Sequence, residues 1–304
     1  MEEEGEEMGN RLRGAFAVLV TPFNKDYSLN ETGLRENIEW LIAEGIGGII
    51  PAGSTGEFVS LSENERKRLI EVTVDQVGGR VPVCAGAGAE TTSDAVMYTQ
   101  FAKKIGCDAV MILPPYYFGP NPEELYSHYK AISDSADIPI MIYNNPWTSG
   151  VDITVDVVLK LAEIENVKYI KESSGDVRRI GQLVLRANGK ITPFAGFDDL
   201  LFESFIMGAE GGVIVAGNIC PKLCSDLFHM VADQKDYDRA RELYLHMLPL
   251  LSYIEGPVGK IVQIVKRGVD LVGHAGGPSR PPRAPLTENE EEELKHILQN
   301  MKLI

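Results

Sequence analysis

The chain has 304 residues, of which 44% are hydrophobic and 24% charged; that balance excludes bulk disorder, collagen and coiled coil. Its formal net charge is −15, from 29 Lys and Arg against 44 Asp and Glu, so it repels phosphate backbones and no nucleic-acid partner is expected. No apolar run approaches the roughly 18 residues a membrane helix needs, and the acidic start (Glu2, Glu3, Glu4, Glu6 and Glu7) lacks the apolar core of a signal peptide; a soluble, cytoplasmic protein with no membrane partner is expected.

From residue 15 to 217 one pattern repeats. A short apolar run ends in a Gly, Pro or small polar cluster, and a helix-period segment follows. The runs are Ala15–Thr21, Gly48–Pro51, Val81–Ala85, Ala109–Leu113, Ile138–Tyr143, Val167–Lys171, Ile191–Ala195 and Gly212–Ala216. They are continuous rather than alternating, as in strands covered on both faces. Eight such strands interleaved with helices predict an α/β fold, a closed (β/α)8 TIM barrel.

The helices carry their own start signals. Ser62 with Glu65, and Thr287 with Glu290, have the spacing of capping boxes. Asn121 precedes a proline at the first helical position and an acid at the third. Leu34, Ile38, Leu41 and Ile42 mark an apolar face that stops at Gly45, and Val177, Ile180, Leu183 and Val184 mark another. After residue 217 the strand signal ends. Helices are expected at about 222–232, 236–252 and 258–267, then a Gly- and Pro-rich surface loop over 273–286, then a last helix near 288–301. The expected organisation is an acidic extension at 1–11, the barrel at 12–221 and a C-terminal helical region at 222–304.

In such a barrel, chemistry sits where the strands end at the C-terminal face. Cys84, Cys107, Cys220 and Cys224 form no C-x-x-C pair, and the five histidines show no metal-ligand spacing, so no metal is expected. Gly86–Thr91 lacks the third glycine of a dinucleotide fingerprint. Arg280 to Arg283, among prolines, reads as a solvated loop. Lys171 closes the sixth run. Burial there disfavours an ammonium, and a neutral amine attacks a ketone to form an imine, an electron sink once protonated. A strand-end lysine can equally snorkel to water or pair with a carboxylate; its neighbours decide. Tyr143 ends the fifth run and offers a phenol that both donates and accepts, or else a core aromatic. Ser54 and Thr55 offer hydroxyls on a glycine-flanked turn whose N–H groups can cradle an anion, or else are only turn residues.

The combination of Gly53-Ser54-Thr55-Gly56-Glu57, Pro115-Tyr116-Tyr117, Tyr143-Asn144-Asn145-Pro146 and Tyr169-Ile170-Lys171-Glu172 resembles the dihydrodipicolinate synthase/N-acetylneuraminate lyase family, in order and in strand position, from about Leu12 to the C-terminus. The resemblance implies a barrel with a C-terminal helical region, assembled as a homotetramer of two dimers, with no metal or organic cofactor. It implies that Lys171 is the Schiff-base lysine, that Tyr143 shuttles protons, and that Ser54 and Thr55 bind the keto-acid carboxylate and join the relay. Tyr117 matches a tyrosine that many members contribute across a dimer interface, and Gly196 and Val215 match the wall beside the substrate.

Two departures bear on substrate. The lysine-biosynthetic synthases carry an arginine where this chain has Thr148, and they usually have two threonines where it has Ser54 and Thr55. Asp198 and Asp199 resemble the acidic pair with which sialic acid lyases bind substrate hydroxyls; they also read as caps before Leu200. The expected activity is that of a Schiff-base-forming lyase or synthase acting on pyruvate or a longer 2-keto acid, by reversible aldol chemistry with an aldehyde. Lysine-pathway condensation is the runner-up, dehydration or deamination of a hydroxylated 2-keto acid a third reading, and a catalytically silent keto-acid-binding barrel the non-enzymatic one.

Overall fold

The computed structural model describes residues 11–256 and 260–304. The expected acidic extension, apart from Arg11, and the first two residues of the helix expected at 258–267 lie outside them. Eight strands run β1 (Gly14–Val18), β2 (Gly48–Ile50), β3 (Cys84–Gly86), β4 (Ala109–Ile112), β5 (Ile140–Asn144), β6 (Val167–Glu172), β7 (Thr192–Ala195) and β8 (Gly211–Ile214). All pairings are parallel, in the order β2-β1-β8-β7-β6-β5-β4-β3. A parallel bridge between Ile49 and Val83 joins the two ends, so the barrel is closed and leaves no free edge.

The interior is filled by aromatic rings that neighbouring glycines admit. Phe16 packs edge-on against Phe194 at 5.6 Å, and Phe194 against Tyr169 at 5.9 Å. A Cβ on Gly48 would meet the Phe16 ring at 2.1 Å, and one on Gly211 the Phe194 ring at 2.3 Å; both positions are glycine because the rings occupy that space. The strands are buried almost throughout, which is why their sequences show no alternation.

The outer helices are α1 (Glu31–Ala43), α2 (Glu63–Val77), α3 (Thr92–Ile105), α4 (Pro122–Ser135), a single turn α5 (Pro146–Ser149), α6 (Val155–Leu161), α7 (Arg178–Arg186) and α8 (Leu201–Ile206). The capping boxes form at Ser62, Asn121 and Thr287, and Gly45 takes the left-handed conformation after α1. On α7, Ile180 and Leu183 are buried, but Val184 is turned outward with Leu185.

Beyond the barrel come α9 (Pro221–His229), continued by a π-helical turn at Met230–Gln234, then α10 (Tyr237–Glu255), α11 (Ile261–Leu271) and α12 (Glu288–Asn300). The Gly- and Pro-rich segment is irregular but fastened. His274 stacks on Trp40 at 3.7 Å, and Ala275 exchanges two hydrogen bonds with the Asn37 side chain. The expectation of a solvated loop at Arg280–Arg283 is corrected. Arg280 donates to the carbonyls of Tyr27 and Ser60 and pairs with Glu65, and Arg283 lies 3.7 Å from Glu57. Two acidic side chains beneath the segment draw it down. No helix among the described residues is long and apolar enough to cross a membrane.

Candidate active site

Register creates the centre of the site. Tyr143 on β5 pairs with Lys171 on β6, which pairs with Phe194 on β7; one residue further, Asn144 pairs with Glu172. Side chains alternate along a strand, so Tyr143 and Lys171 share one face, with Tyr169 one step below. Asn144 and Glu172 share the other. There the Asn144 amide donates to both Glu172 oxygens at 3.1 and 3.2 Å and its carbonyl accepts from the Ile153 N–H. That pair locks the strand ends together and with them the register of Lys171.

Lys171 is 4% exposed. Its Nζ lies 4.1 Å from the centre of the Tyr143 ring, and the Tyr143 hydroxyl accepts from the Asn145 amide at 2.9 Å. Ser54 and Thr55 occupy the turn after β2; Thr55 is buried. The turn is held from below by Thr21, whose hydroxyl donates to the Gly56 carbonyl at 2.6 Å. It is held from the side by Glu57, fully buried in left-handed backbone at φ +56°. Ser54 and Tyr143 line one narrow cavity of about 10 Å³, room for about one water, together with Gly53, Gly86 and Arg66.

The far wall comes from β7 and β8. A Cβ on Gly196 would stand 1.9 Å from Ser173 Oγ, so only glycine lets the β7 end approach β6. Asp198 is fully buried. Its two oxygens accept from the N–H groups of Val215 at 3.0 Å and Ala216 at 2.6 Å, which fixes the bend after β8; it does not cap the turn that follows, whose N-cap is Phe197. Its own N–H donates to Glu255 at the end of α10. Burial pushes the Asp198 and Glu255 carboxyls up; the charge of Asp198 raises Glu255 further and that of Asp199 raises both, against the backbone N–H donors and the pull of Lys171. Asp199 is half-buried, its carboxyl also raised by desolvation, and its carbonyl accepts from the Tyr244 hydroxyl.

Two expected residues lie apart from the cavity of their own chain. Tyr117 is 78% exposed and packs on Phe118, held by its N–H against Glu90. Thr148, on the turn α5, is exposed, and its N–H donates to Asn145. Residues that sequence reasoning missed are Asn145, Glu255 and Arg66. For Asn145 and Glu255 no local pattern marks the contact, because it is tertiary. Arg66 had a signal: its spacing to Leu69, Ile70, Thr73 and Val77 puts it on the buried face of α2. Among the described residues, no three His, Cys, Asp or Glu side chains gather as a metal site requires.

A (β/α)8 barrel that buries a lysine at the end of β6 against a strand-end tyrosine is the framework of lysine-imine enzymes. Comparison with known proteins gives the family. The model of the dihydrodipicolinate synthetase family matches residues 11–301. A 4-hydroxy-tetrahydrodipicolinate synthase of Methanothrix thermoacetophila is 38% identical over 290 residues, covering 95% of this chain and 97% of its own. One of Bartonella bacilliformis is 38% identical over 297 residues, covering 96% and 99%. Among solved structures, the chloride-inhibited dihydrodipicolinate synthase of Acinetobacter baumannii complexed with pyruvate superposes with a TM-score of 0.92 at 34% identity, covering 97% of this chain and 100% of its own. A monomeric dihydrodipicolinate synthase variant superposes with a TM-score of 0.92 at 28% identity, covering 96% and 98%. The chain belongs to the dihydrodipicolinate synthetase family and is an enzyme of its Schiff-base lyase and synthase type.

Proposed function

We propose that this enzyme carries out reversible aldol chemistry between pyruvate, or a longer 2-keto acid, and an aldehyde, with Lys171 as the imine-forming residue. The observation that carries the reading is the Lys171 amine, buried and 4.1 Å from the Tyr143 ring centre at the mouth of a closed barrel. Its Nζ attacks the ketone carbon, water leaves, and the protonated imine withdraws electrons from the carbon–carbon bond one step further out, between the carbon next to the imine and the hydroxyl-bearing carbon beyond it, whose hydroxyl gives up its proton as the aldehyde leaves. That bond breaks to an enamine, or forms when an enamine meets an aldehyde. Tyr143 moves the proton. Ser54 and Thr55 take the substrate carboxylate on hydroxyls and turn N–H groups. Gly196 and Val215 form the wall. Asp199 meets substrate hydroxyls; Asp198, both oxygens engaged by backbone, shapes that wall from behind.

Borohydride reduction in the presence of pyruvate tests this: a mass adduct on Lys171 supports it, and an adduct elsewhere, or none, overturns it. A second reading is favoured by the names of the relatives: condensation of pyruvate in lysine biosynthesis. Thr148, standing where the synthases carry arginine, favours the first. Pyruvate release from a panel of sugar acids and N-acetylneuraminate, set against consumption of aspartate semialdehyde, decides between them.

The proposed assembly is a dimer of dimers, in which Tyr117 reaches the site of a second copy. Two separate apolar surfaces support it. One comprises Tyr116, Tyr117 and Phe118 after β4 with Trp147; the other comprises Val184 and Leu185 of α7 with Ile206 and Met207. Dihedral symmetry needs two self-complementary patches. A cytoplasmic setting fits four cysteines that are buried and free.

A further inference from the structure

Arg66 is 4% exposed, and its partners among the described residues are uncharged. Nη2 donates to the carbonyls of Gly86 at 2.7 Å and Gly88 at 2.9 Å. The guanidinium lies between the rings of Tyr98 and Phe58, 4.0 and 4.9 Å from their centres. Its Nε is buried with no partner among the described residues. Burial lowers its pKa only to about 10, so it is a cation at any working pH. The other deeply buried cation outside the reacting centre, Lys266, meets Glu57 at 2.8 Å. A buried charge without a counter-charge is costly, and this one faces the cavity that Ser54 and Tyr143 also line.

We propose that Arg66 is the counter-charge for the carboxylate of the 2-keto acid, set behind the Ser54–Thr55 turn, so that the cavity selects anionic ketones over neutral ones of the same shape. The proposal rests on the reading that Lys171 forms the imine. In a closed, water-poor cavity the attraction between guanidinium and carboxylate acts across several ångströms without direct contact. It adds to the charge-assisted hydrogen bonds of the turn.

The test compares pyruvate with pyruvamide, its neutral isostere, as ketones in the borohydride reaction, using full-length protein and the variants Arg66→Met and Arg66→Lys. The readout is the ketone concentration giving half-maximal labelling of Lys171. Wild type is expected to favour pyruvate by about tenfold or more, and Arg66→Met to raise the pyruvate value by about 10- to 100-fold while leaving that for pyruvamide unchanged. Arg66→Lys, which keeps the charge but loses the fork to Gly86 and Gly88, stays nearer wild type on pyruvate. Equal losses on both ketones, with Arg66→Lys no better than Arg66→Met, would assign Arg66 to holding the β3 loop and overturn the proposal. If Arg66→Met does not fold, absence of any wild-type preference for pyruvate overturns it instead. Failure of wild type to label with either ketone is a different result: it removes the imine reading of Lys171, and this proposal with it.

Discussion

The Tyr143 hydroxyl is fastened to the Asn145 amide, and its ring covers the Lys171 amine. A phenol so placed has little structural duty beyond one hydrogen bond, worth about 1 kcal/mol. Tyr143→Phe is therefore expected to lower turnover by about 10²- to 10⁴-fold with an almost unchanged unfolding midpoint; steady-state pyruvate release and urea unfolding on the same preparation check both halves. A large stability loss with little loss of turnover would make Tyr143 a core residue. The strand-end placement of Lys171, Tyr143, Ser54 and Thr55 was legible in the sequence because strand ends in a barrel are announced by their glycines and prolines, as at Gly53 and Pro146. The engagement of Asp198 with Val215 and Ala216 was not. An aspartate before a short turn reads locally as a cap, and only the closing of β8 beside β7 offers it two buried N–H groups.

At the level of elements, the barrel was legible because covered parallel strands give continuous apolar runs, and its helix starts because caps are local. The outward turn of Val184 was not, since helix periodicity alone does not say where the apolar stripe ends. Nor was the tie between the β2 turn and α11. Lys266 donates to Glu57, to the Thr21 carbonyl and to the Pro278 carbonyl, while Arg280 N–H donates to the other Glu57 oxygen. Removing one partner of so deeply buried a pair strands the other. Lys266→Met is expected to cost about 3–5 kcal/mol in urea unfolding, and the double variant with Glu57→Gln less than the sum of the two single changes. Additive losses would show that the two side chains act separately.

A second tie is sensitive to acid. His128 on α4 has Nδ1 2.9 Å from the Thr92 hydroxyl of α3, and its Nε2 is buried without a partner among the described residues. Burial lowers its pKa to about 4, below the ordinary 6.5. The folded chain keeps the ring neutral while the unfolded chain takes up a proton. Stability from this source is complete above about pH 6.5 and is lost as pH falls toward 4. Between pH 7 and pH 5 the loss is about 2 kcal/mol. His128→Gln should flatten that part of the curve, and an unchanged slope in urea melts at the two pH values would place the acid sensitivity elsewhere.

On the scale of the whole molecule, Tyr117 and Phe118 pack edge to face at 4.9 Å and, with Trp147, are exposed by 78, 89 and 77%; large aromatic side chains left in water suit a surface that another chain covers. If the proposed reach of Tyr117 into a second copy's site holds, Phe118→Asp is expected to shift sedimentation toward a smaller species and to lower turnover with it. Leu185→Asp, on the other patch, is expected to halve the assembly while sparing more of the activity. Identical sedimentation of both variants and wild type would refute the two-interface arrangement.

The clasp of Lys266 on Glu57 joins residues 209 positions apart. While a ribosome is still making α11, the strands of the barrel are already complete, but the turn that faces the cavity lacks its buried cation and its cover from Arg280. All eight strands therefore precede in the chain the two cations that complete the turn facing the cavity.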